Sequence, residues 1–428
     1  MQNLAYVRAT ASHVESSVYN LAVRILLLNL YYPPDTSATA KMAETVAKVL
    51  GAGNQVTVLC GRPSYDPSER RPWRLYQTER SGSVRIVRVG STDFPRIQMK
   101  WRVLNYLSYT ALLIPRALVT PCDAVLAMTD PPFAGIVGAF VAILRRKPYF
   151  YNIRDMYPDM ALGGSIVEPG MLARVWEKLH RWALRRATKV IVLGEDMRNR
   201  IVAKGLRFEQ IEIVRDGAEI PSTDLRESLD AETIRAIRGD FRFVLLHAGN
   251  LGFYGAWSSL IAAARQLSED GIGLVFVGEG AQRKEIEVQA TGLSNVRFLP
   301  FFPASKVSSV LAAADAHLIT VKRGLEGVVV PSKMYGILVA GKPIVAVAPR
   351  ETDAVTLGER FKFSVGADPD RPDEIARTIR ELASDPGLVA QMSEASRHSA
   401  RYFDRAKELQ NFRQIITGKE PAGENEAK

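Results

Sequence analysis

The chain alternates short, wholly apolar runs with helical patterns, and then does so a second time. In the first half "VRILLLNLYYPP" reads as a strand, "ATAKMAETVAKVLGAG" as a helix with a glycine stop, and "NQVTVLCG" as the next strand. "DAVLAMTDPP", "KPYFYNIRD" and "KVIVLGED" follow as strands ending in polar or turn residues. The theme restarts with "RFVLLHAGNLGF", the helix "AWSSLIAAARQLSED", and then "IGLVFVGEGA", "NVRFLPFF", "AHLITVK" and "KPIVAVAP". Apolar strands separated by helices imply a parallel sheet covered on both faces. The fold class is therefore α/β, with two such domains in tandem. The segment 216–240 lacks long apolar runs and is the expected boundary. The domains are placed at 22–217 and 218–398, between tails at 1–21 and 416–428. Ligands of open α/β sheets bind at the carboxyl ends of the strands, so the loops there carry the search for function.

Charge divides the same way. Residues 1–217 hold 30 Lys and Arg against 18 Asp and Glu, whereas the whole chain is +10. The basic excess lies wholly in the first half. It suits an anionic partner, or else it is a well-solvated surface. Cys60 and Cys122 make no disulfide framework, and the five His show no metal-binding spacing. No apolar run reaches the roughly 18 residues of a membrane span. The stretch "WRVLNYLSYTALLIPRAL" (101–118) carries Arg102 and Arg116 at its ends and Trp101 and Tyr106 near one end. That composition suits a membrane interface, or equally a core helix with snorkelling arginines.

Three turns in the second half have phosphate-binding character. "HAGNLGFYG" places Gly249 and Gly252 between strand and helix, where backbone approaches a ligand closely. "VGEGAQRKEIE" puts Arg283 in the first turn of a helix. "PSKMYGILVAGKP" starts a helix with Ser332, expected to cap it, and with Lys333. A cation in a first turn opposes the helix dipole by a few tenths of a kcal/mol, and a bound anion offsets that. Each turn also has a structural reading, as βα-turn glycines or surface cations. In the first half Asp155 and Asp159 of "YNIRDMYPDM" could hold hydroxyls or serve as a base; Asp155 could instead cap a helix.

Taken together, "YYPPDTSATAKMAETVAKVL", "DPPFAGIVGA", "IRDMYPDM", "VIVLGEDMRNRIVAKG", "HAGNLG", "VGEGAQRKEIE", "NVRFLPFFP" and "PSKMYGILVAGKPIVA" resemble the GT-B glycosyltransferases of family 4, in the colanic-acid and O-antigen branch. The resemblance runs from about Arg24 to about Phe412. It implies two Rossmann-like domains facing each other across a cleft, with a helix at about 399–415 packing back on the first. It implies a nucleotide-sugar donor, a UDP-sugar, on the second domain. Gly249, Asn250, Gly252 and Glu279 would face it. Phe301 and Phe302 would meet the base. Ser332 and Lys333 would hold the pyrophosphate, Tyr335 and Gly336 would also bind the donor, and Lys333 and Arg283 would be the catalytic cations. Thr36, Ser37, Asp130, Arg154, Asp155 and Asp159 would line the acceptor side.

The implied activity is sugar transfer, with retention and without metal or cofactor, to a lipid-linked or polysaccharide acceptor of bacterial surface polysaccharide. The implied setting is the inner face of the cytoplasmic membrane, on anionic lipid, with no nucleic-acid partner. The chain departs from the family in three places. Asn250 replaces a loop arginine and the loop lysine is absent. Val328 and Gly336 stand at the two positions of a Glu-x7-Glu pair, with Glu326 two residues off. The family's acceptor-side histidine is replaced near Thr129 and Asp130, so no general base is named. An epimerase of the same fold, or a sugar-nucleotide binder without catalysis, are the competing readings. The scarcity of His opposes the first and the missing Glu pair favours the second.

Overall fold

The computed structural model describes residues 22–63, 72–94, 98–220 and 229–419. The tail at 1–21, most of the tail at 416–428, and Arg96 lie outside the described residues. The strands are β1 (Arg24–Leu28), β2 (Gln55–Cys60), β3 (Tyr76–Ser81), β4 (Val84–Val89), β5 (Ala124–Ala127), β6 (Tyr149–Asn152), β7 (Lys189–Val192), β8 (Ile211–Ile213), β9 (Phe243–Ala248), β10 (Ile272–Val277), β11 (Val296–Leu299), β12 (Ala316–Thr320), β13 (Ile344–Val347) and β14 (Ser364–Ala367). The first eight form one sheet in the order β3-β4-β2-β1-β5-β6-β7-β8, with β3 antiparallel to β4. The rest form a six-stranded sheet, β11-β10-β9-β12-β13-β14, parallel throughout. The expected parallel α/β sheet is present in each half, with β3 as an antiparallel edge strand in the first.

The helices are α1 (Ala38–Gly51), α2 (Met99–Val119), α3 (Ala134–Arg145), α4 (Asp159–Gly163), α5 (Met171–Arg186), α6 (Glu195–Ala203), α7 (Ala231–Arg238), α8 (Trp257–Gln266), α9 (Arg283–Gln289), α10 (Val307–Ala312), α11 (Lys333–Val339), α12 (Asp353–Phe361), α13 (Pro372–Ser384), α14 (Pro386–Tyr402) and α15 (Arg405–Thr417). The single helix expected over 399–415 is in fact the end of α14, a break at Phe403–Asp404, and α15. The break is fixed by pairing: the Ala218 amide donates to the Phe403 carbonyl, and Asp404 bridges to Ala218.

The second sheet shows why its strands are continuously apolar. Along β9, Leu245 packs with Trp257, Leu260, Phe276, Ile375 and Ile379 on one face. Val244 and Leu246 pack with Ile237, Val275 and Val310 on the other. A period of two with both faces covered makes the strand apolar from Phe243 to Leu246, and His247 near its end is the exception. By packing, the described residues form two compact units. One takes in those up to Ile153, Lys178–Ile191 and those from Leu409; the other is Arg154–Glu177 with Val192–Glu408.

Candidate functional site

In the second sheet the chain leaves β9 toward β10 on one side and β12 toward β13 on the other. This is the reversal of strand order at which open α/β sheets bind ligands. The turns after β9 and β10 are knitted together there. The Gly249 amide donates to the Val277 carbonyl at 2.8 Å and the Leu251 amide to Glu279 at 2.9 Å. Gly249 (φ 143°) and Gly278 (φ 146°) occupy backbone that side chains rarely adopt. A Cβ on Gly278 would sit 2.0 Å from the Gly249 carbonyl oxygen. One on Gly249 would sit 2.9 Å from Lys333 Nζ.

Lys333 thus reaches this turn from the first position of α11, a long way on in sequence. Its ammonium donates to His247 Nε2 at 3.1 Å. Among the described residues it forms no ion pair. Burial lowers its pKa to about 7. His247 is itself buried, and burial together with the Lys333 charge holds its pKa well below the usual histidine value. The imidazole is therefore neutral and accepts from the lysine.

The other expected donor residues divide into two groups. Phe301 adjoins the glycine turn: a Cβ on Gly278, a residue not among those expected, would come within 3.3 Å of its ring, which is 56% exposed. Phe302, half-buried, packs on the core under β9 and β10. Asn250 is exposed, and its carbonyl accepts from the Tyr254 hydroxyl. The Gly252 carbonyl accepts from Trp257 Nε1 at 2.6 Å. Arg283 is engaged through Nε and Nη1. It donates to the Gly278 carbonyl (2.6 Å), the Leu299 carbonyl (3.3 Å), Glu279 (2.6 Å) and Glu287 (2.8 Å). It ties the ends of β10 and β11 together, and Glu279 is spent on it.

Ser332, Tyr335 and Gly336 line a different feature, an open groove of about 1110 Å³ shared with Lys342, Arg397 and Arg405. The expected cap is not formed: Ser332 holds the N-cap position of α11, but its hydroxyl accepts nothing from the helix. Its backbone is already helical (φ −59°, ψ −22°), not the extended form that aims a capping oxygen at the amides. Tyr335 is buried, with its ring 5.9 Å edge-on to Phe403. A Cβ on Gly336 would meet only Leu311 Cδ1 at 3.8 Å, so packing leaves room there for a side chain. Val328 is wholly buried.

The acceptor-side candidates are dispersed. Ser37 caps α1, its Oγ accepting from the Ala40 amide at 3.1 Å, and Thr36 is exposed beside it. Asp130 lies at the end of β5, where its carbonyl accepts from the Leu30 amide at 2.8 Å. There the first sheet has its own reversal, between β1 and β5. Two buried polar atoms at these strand ends have no partner among the described residues, Asn29 Oδ1 and Thr129 Oγ1. Asn29 did not stand out in sequence, and Thr129 did so only as a neighbour of the replaced acceptor-side histidine. Arg154 pairs with Asp216. Asp155 bridges to Val329, and burial raises its pKa. It caps no helix. Asp159 is held by Arg200 (2.9 Å) and Lys204 (2.7 Å). Burial works to raise its pKa, and the two cations outweigh it.

Comparison with known proteins matches residues 38–217 to the family described as a glycosyl transferase 4-like domain. Residues 232–399 match that described as glycosyl transferases group 1. The chain is 23% identical over 429 residues to a protein of Escherichia coli (strain K12) named as a colanic acid biosynthesis glycosyl transferase, WcaI, covering 92% of this chain and all of that one. Among solved structures it is similar to HepE of Anabaena in complex with UDP, at 19% identity and TM-score 0.63, covering 92% and 100% of the two chains. HepE has also been solved with UDP-glucose. WaaG, involved in lipopolysaccharide biosynthesis, is similar at 18% identity and TM-score 0.61, again covering 92% and 100%.

Proposed function

The chain belongs to the glycosyltransferases of GT-B fold, family 4, and from that membership we propose that it moves a sugar from a UDP-sugar to a lipid-linked or polysaccharide acceptor during synthesis of cell-surface polysaccharide. The names of the colanic acid and lipopolysaccharide relatives support the setting. The UDP and UDP-glucose held by the Anabaena protein support the donor.

The observation that carries the reading is Lys333. A cation without a carboxylate partner stands against a glycine turn at the strand reversal. Fixed positive charge there stabilises a leaving diphosphate in the transition state without a metal ion. Gly249 and Gly278 let phosphate oxygens approach the backbone. The exposed Phe301 ring offers a stacking face to the uracil. Transfer proceeds with retention.

The acceptor arrives from the membrane. Helix α2 contains no acidic residue, and Met99, Val103, Leu104 and Leu107 on it are exposed beside Lys100. Helix α5 likewise exposes Met171, Leu172, Val175 and Leu179 among Arg174 and Lys178. No described helix is long and apolar enough to cross a membrane. Apolar stripes with basic flanks suit an anionic bilayer surface.

The test is a thermal-shift series with UDP, ADP, GDP and their sugars, followed by release of UDP from whichever sugar nucleotide binds. UDP at a hundred times its Kd should stabilise the protein by about 2.7 kcal/mol. If no nucleoside diphosphate raises the melting temperature, the donor reading falls.

A further inference from the structure

We propose that His247 is a positioning residue for sugar transfer: its buried ring holds the Lys333 ammonium at the Gly249 turn, where that ammonium meets the donor diphosphate. The inference rests on the donor reading above and adds to it the group that aims the cation.

A lysine is a flexible four-carbon stem with a point charge at its tip, so something must hold that tip. At this turn the holder is an imidazole 3.1 Å away. The ring cannot swing. It is 1% exposed at the end of β9, with Trp257 edge-on at 5.0 Å and Phe276 at 6.1 Å. The identity of the holder matters. A carboxylate would fix the ammonium and also neutralise it, and would repel an incoming phosphate. A neutral imidazole accepts one hydrogen bond and leaves the positive charge uncancelled. Arg283, at the ends of β10 and β11, shows the contrast, with Glu279 and Glu287 both on its guanidinium.

The surroundings keep the imidazole neutral. The nearest other titratable ring, His317 on β12, is buried, and burial pushes it down to about 4. It is bonded at 2.9 Å to the Leu311 carbonyl. Lys342 adds positive charge near His317, and Lys333 adds it near both rings. No described carboxylate pairs with Lys333 or His247. With Nε2 accepting, the ring proton belongs on Nδ1, which is buried and has no hydrogen-bond partner among the described residues.

Two readouts test this. The first needs no nucleotide: labelling of Lys333 by an amine reagent against pH, read by mass spectrometry. Loss of the acceptor in His247→Phe should move the labelling midpoint down. His247→Gln, whose amide oxygen reaches the place of Nε2, should keep it. An unmoved midpoint in His247→Phe overturns the proposal. The second is UDP affinity by calorimetry. His247→Phe should weaken UDP about tenfold and His247→Gln little. The Phe change should have no further effect in a Lys333→Ala background, as coupled residues require.

If His247→Phe does not fold, His247→Asn takes its place, since its shorter side chain cannot reach Nζ. Equal UDP affinity in the Asn and Gln variants then overturns the proposal. If wild-type protein binds no nucleotide, the donor reading fails while the labelling experiment still decides the role of His247. If UDP binds and Lys333→Ala weakens it but His247→Phe does not, the positioning role alone fails.

Discussion

Asp196 and Asp353 cap each other's helices. Asp353 Oδ1 accepts from the Glu195 amide at the start of α6 at 3.0 Å. Asp196 Oδ2 accepts from the Asp353 amide at the start of α12 at 3.3 Å. Both carboxyls are buried, with Arg215 3.4 Å from Asp353. Two helix N-termini favour negative charge there, but two carboxylates side by side resist double ionisation.

That arrangement makes stability depend on pH. Burial first, and then Asp353, raise the Asp196 pKa to about 7, against about 3.9 in an unfolded chain. The native state therefore holds more protons than the unfolded state between these values. The contribution is complete below about pH 4 and is lost as pH rises through about 7. Asp196→Asn should be less stable than wild type at pH 5, because one amide oxygen replaces two acceptors. The difference in melting temperature should shrink or reverse by pH 8. A difference that does not change with pH would contradict the shared-proton account.

Lys333 should gain a proton when the donor binds. Its free pKa is about 7, lowered by burial, and a nearby diphosphate raises it. Above pH 7, UDP binding should take up close to one proton, and the Kd should climb by up to about tenfold per pH unit. Calorimetry at pH 8.5 in two buffers of different ionisation enthalpy measures the uptake. Lys333→Ala should abolish it and slow transfer roughly a hundredfold, as when a transition-state charge partner is removed. Uptake unchanged in the variant would assign the proton elsewhere.

The glycine turn gives a controlled comparison. Gly278 and Gly292 both have positive φ, yet a Cβ on Gly278 would meet the Gly249 carbonyl at 2.0 Å and one on Gly292 nothing within 4 Å. Gly292→Ala should incur only backbone strain, about 1 kcal/mol. Gly278→Ala should lower the melting temperature further and abolish UDP binding. Equal effects in the two variants would show that the crossing of the turns is unimportant.

Vesicle flotation examines the membrane reading. The protein should float with vesicles containing anionic lipid, bind neutral ones weakly, and be partly released by salt. Lys100→Gln with Arg102→Gln should weaken binding roughly tenfold or more, at about 1 kcal/mol per basic residue. Leu107→Gln should remove part of what salt leaves behind. UDP affinity should be unaffected by all three. Failure to float with anionic vesicles at low salt would point to a soluble acceptor.

Chelation examines the chemistry. If Lys333 is the counter-charge of the diphosphate, as proposed, transfer should persist in excess EDTA. Activity lost in EDTA and restored by magnesium or manganese would replace Lys333 with a metal as the main counter-charge.

Local pattern made the sheets legible, because a strand buried on both faces must be apolar along its whole length, as in β10. Of the glycines picked out for close backbone approach, Gly249 takes a positive φ and Gly252 does not, while Gly278, which does, was not singled out. Partnership was not legible. Lys333 and His247 lie 86 positions apart and no spacing links them. Asp159 reads in sequence as a free carboxylate and in the fold as the hub of two cations. Arg283 reads as a cation awaiting phosphate and in the fold is already committed to Glu279 and Glu287. The exposed stripe of α5 was missed because its apolar residues are diluted by arginines and lysines around the helix.

The order of strands in the second sheet bears on how the protein is made. Because β9 is central and β12 is its later neighbour, the glycine turn is synthesised early and Lys333 only after three further strands. A nascent chain ending before α11 holds the turn and His247 but not the cation. Such long-range closure is slow relative to local pairing. On the proposed donor reading, affinity rises only once α11 has been made, with β13 and β14 still to come, and nucleotide capture by stalled ribosome-bound chains of increasing length would record the moment Lys333 joins the turn.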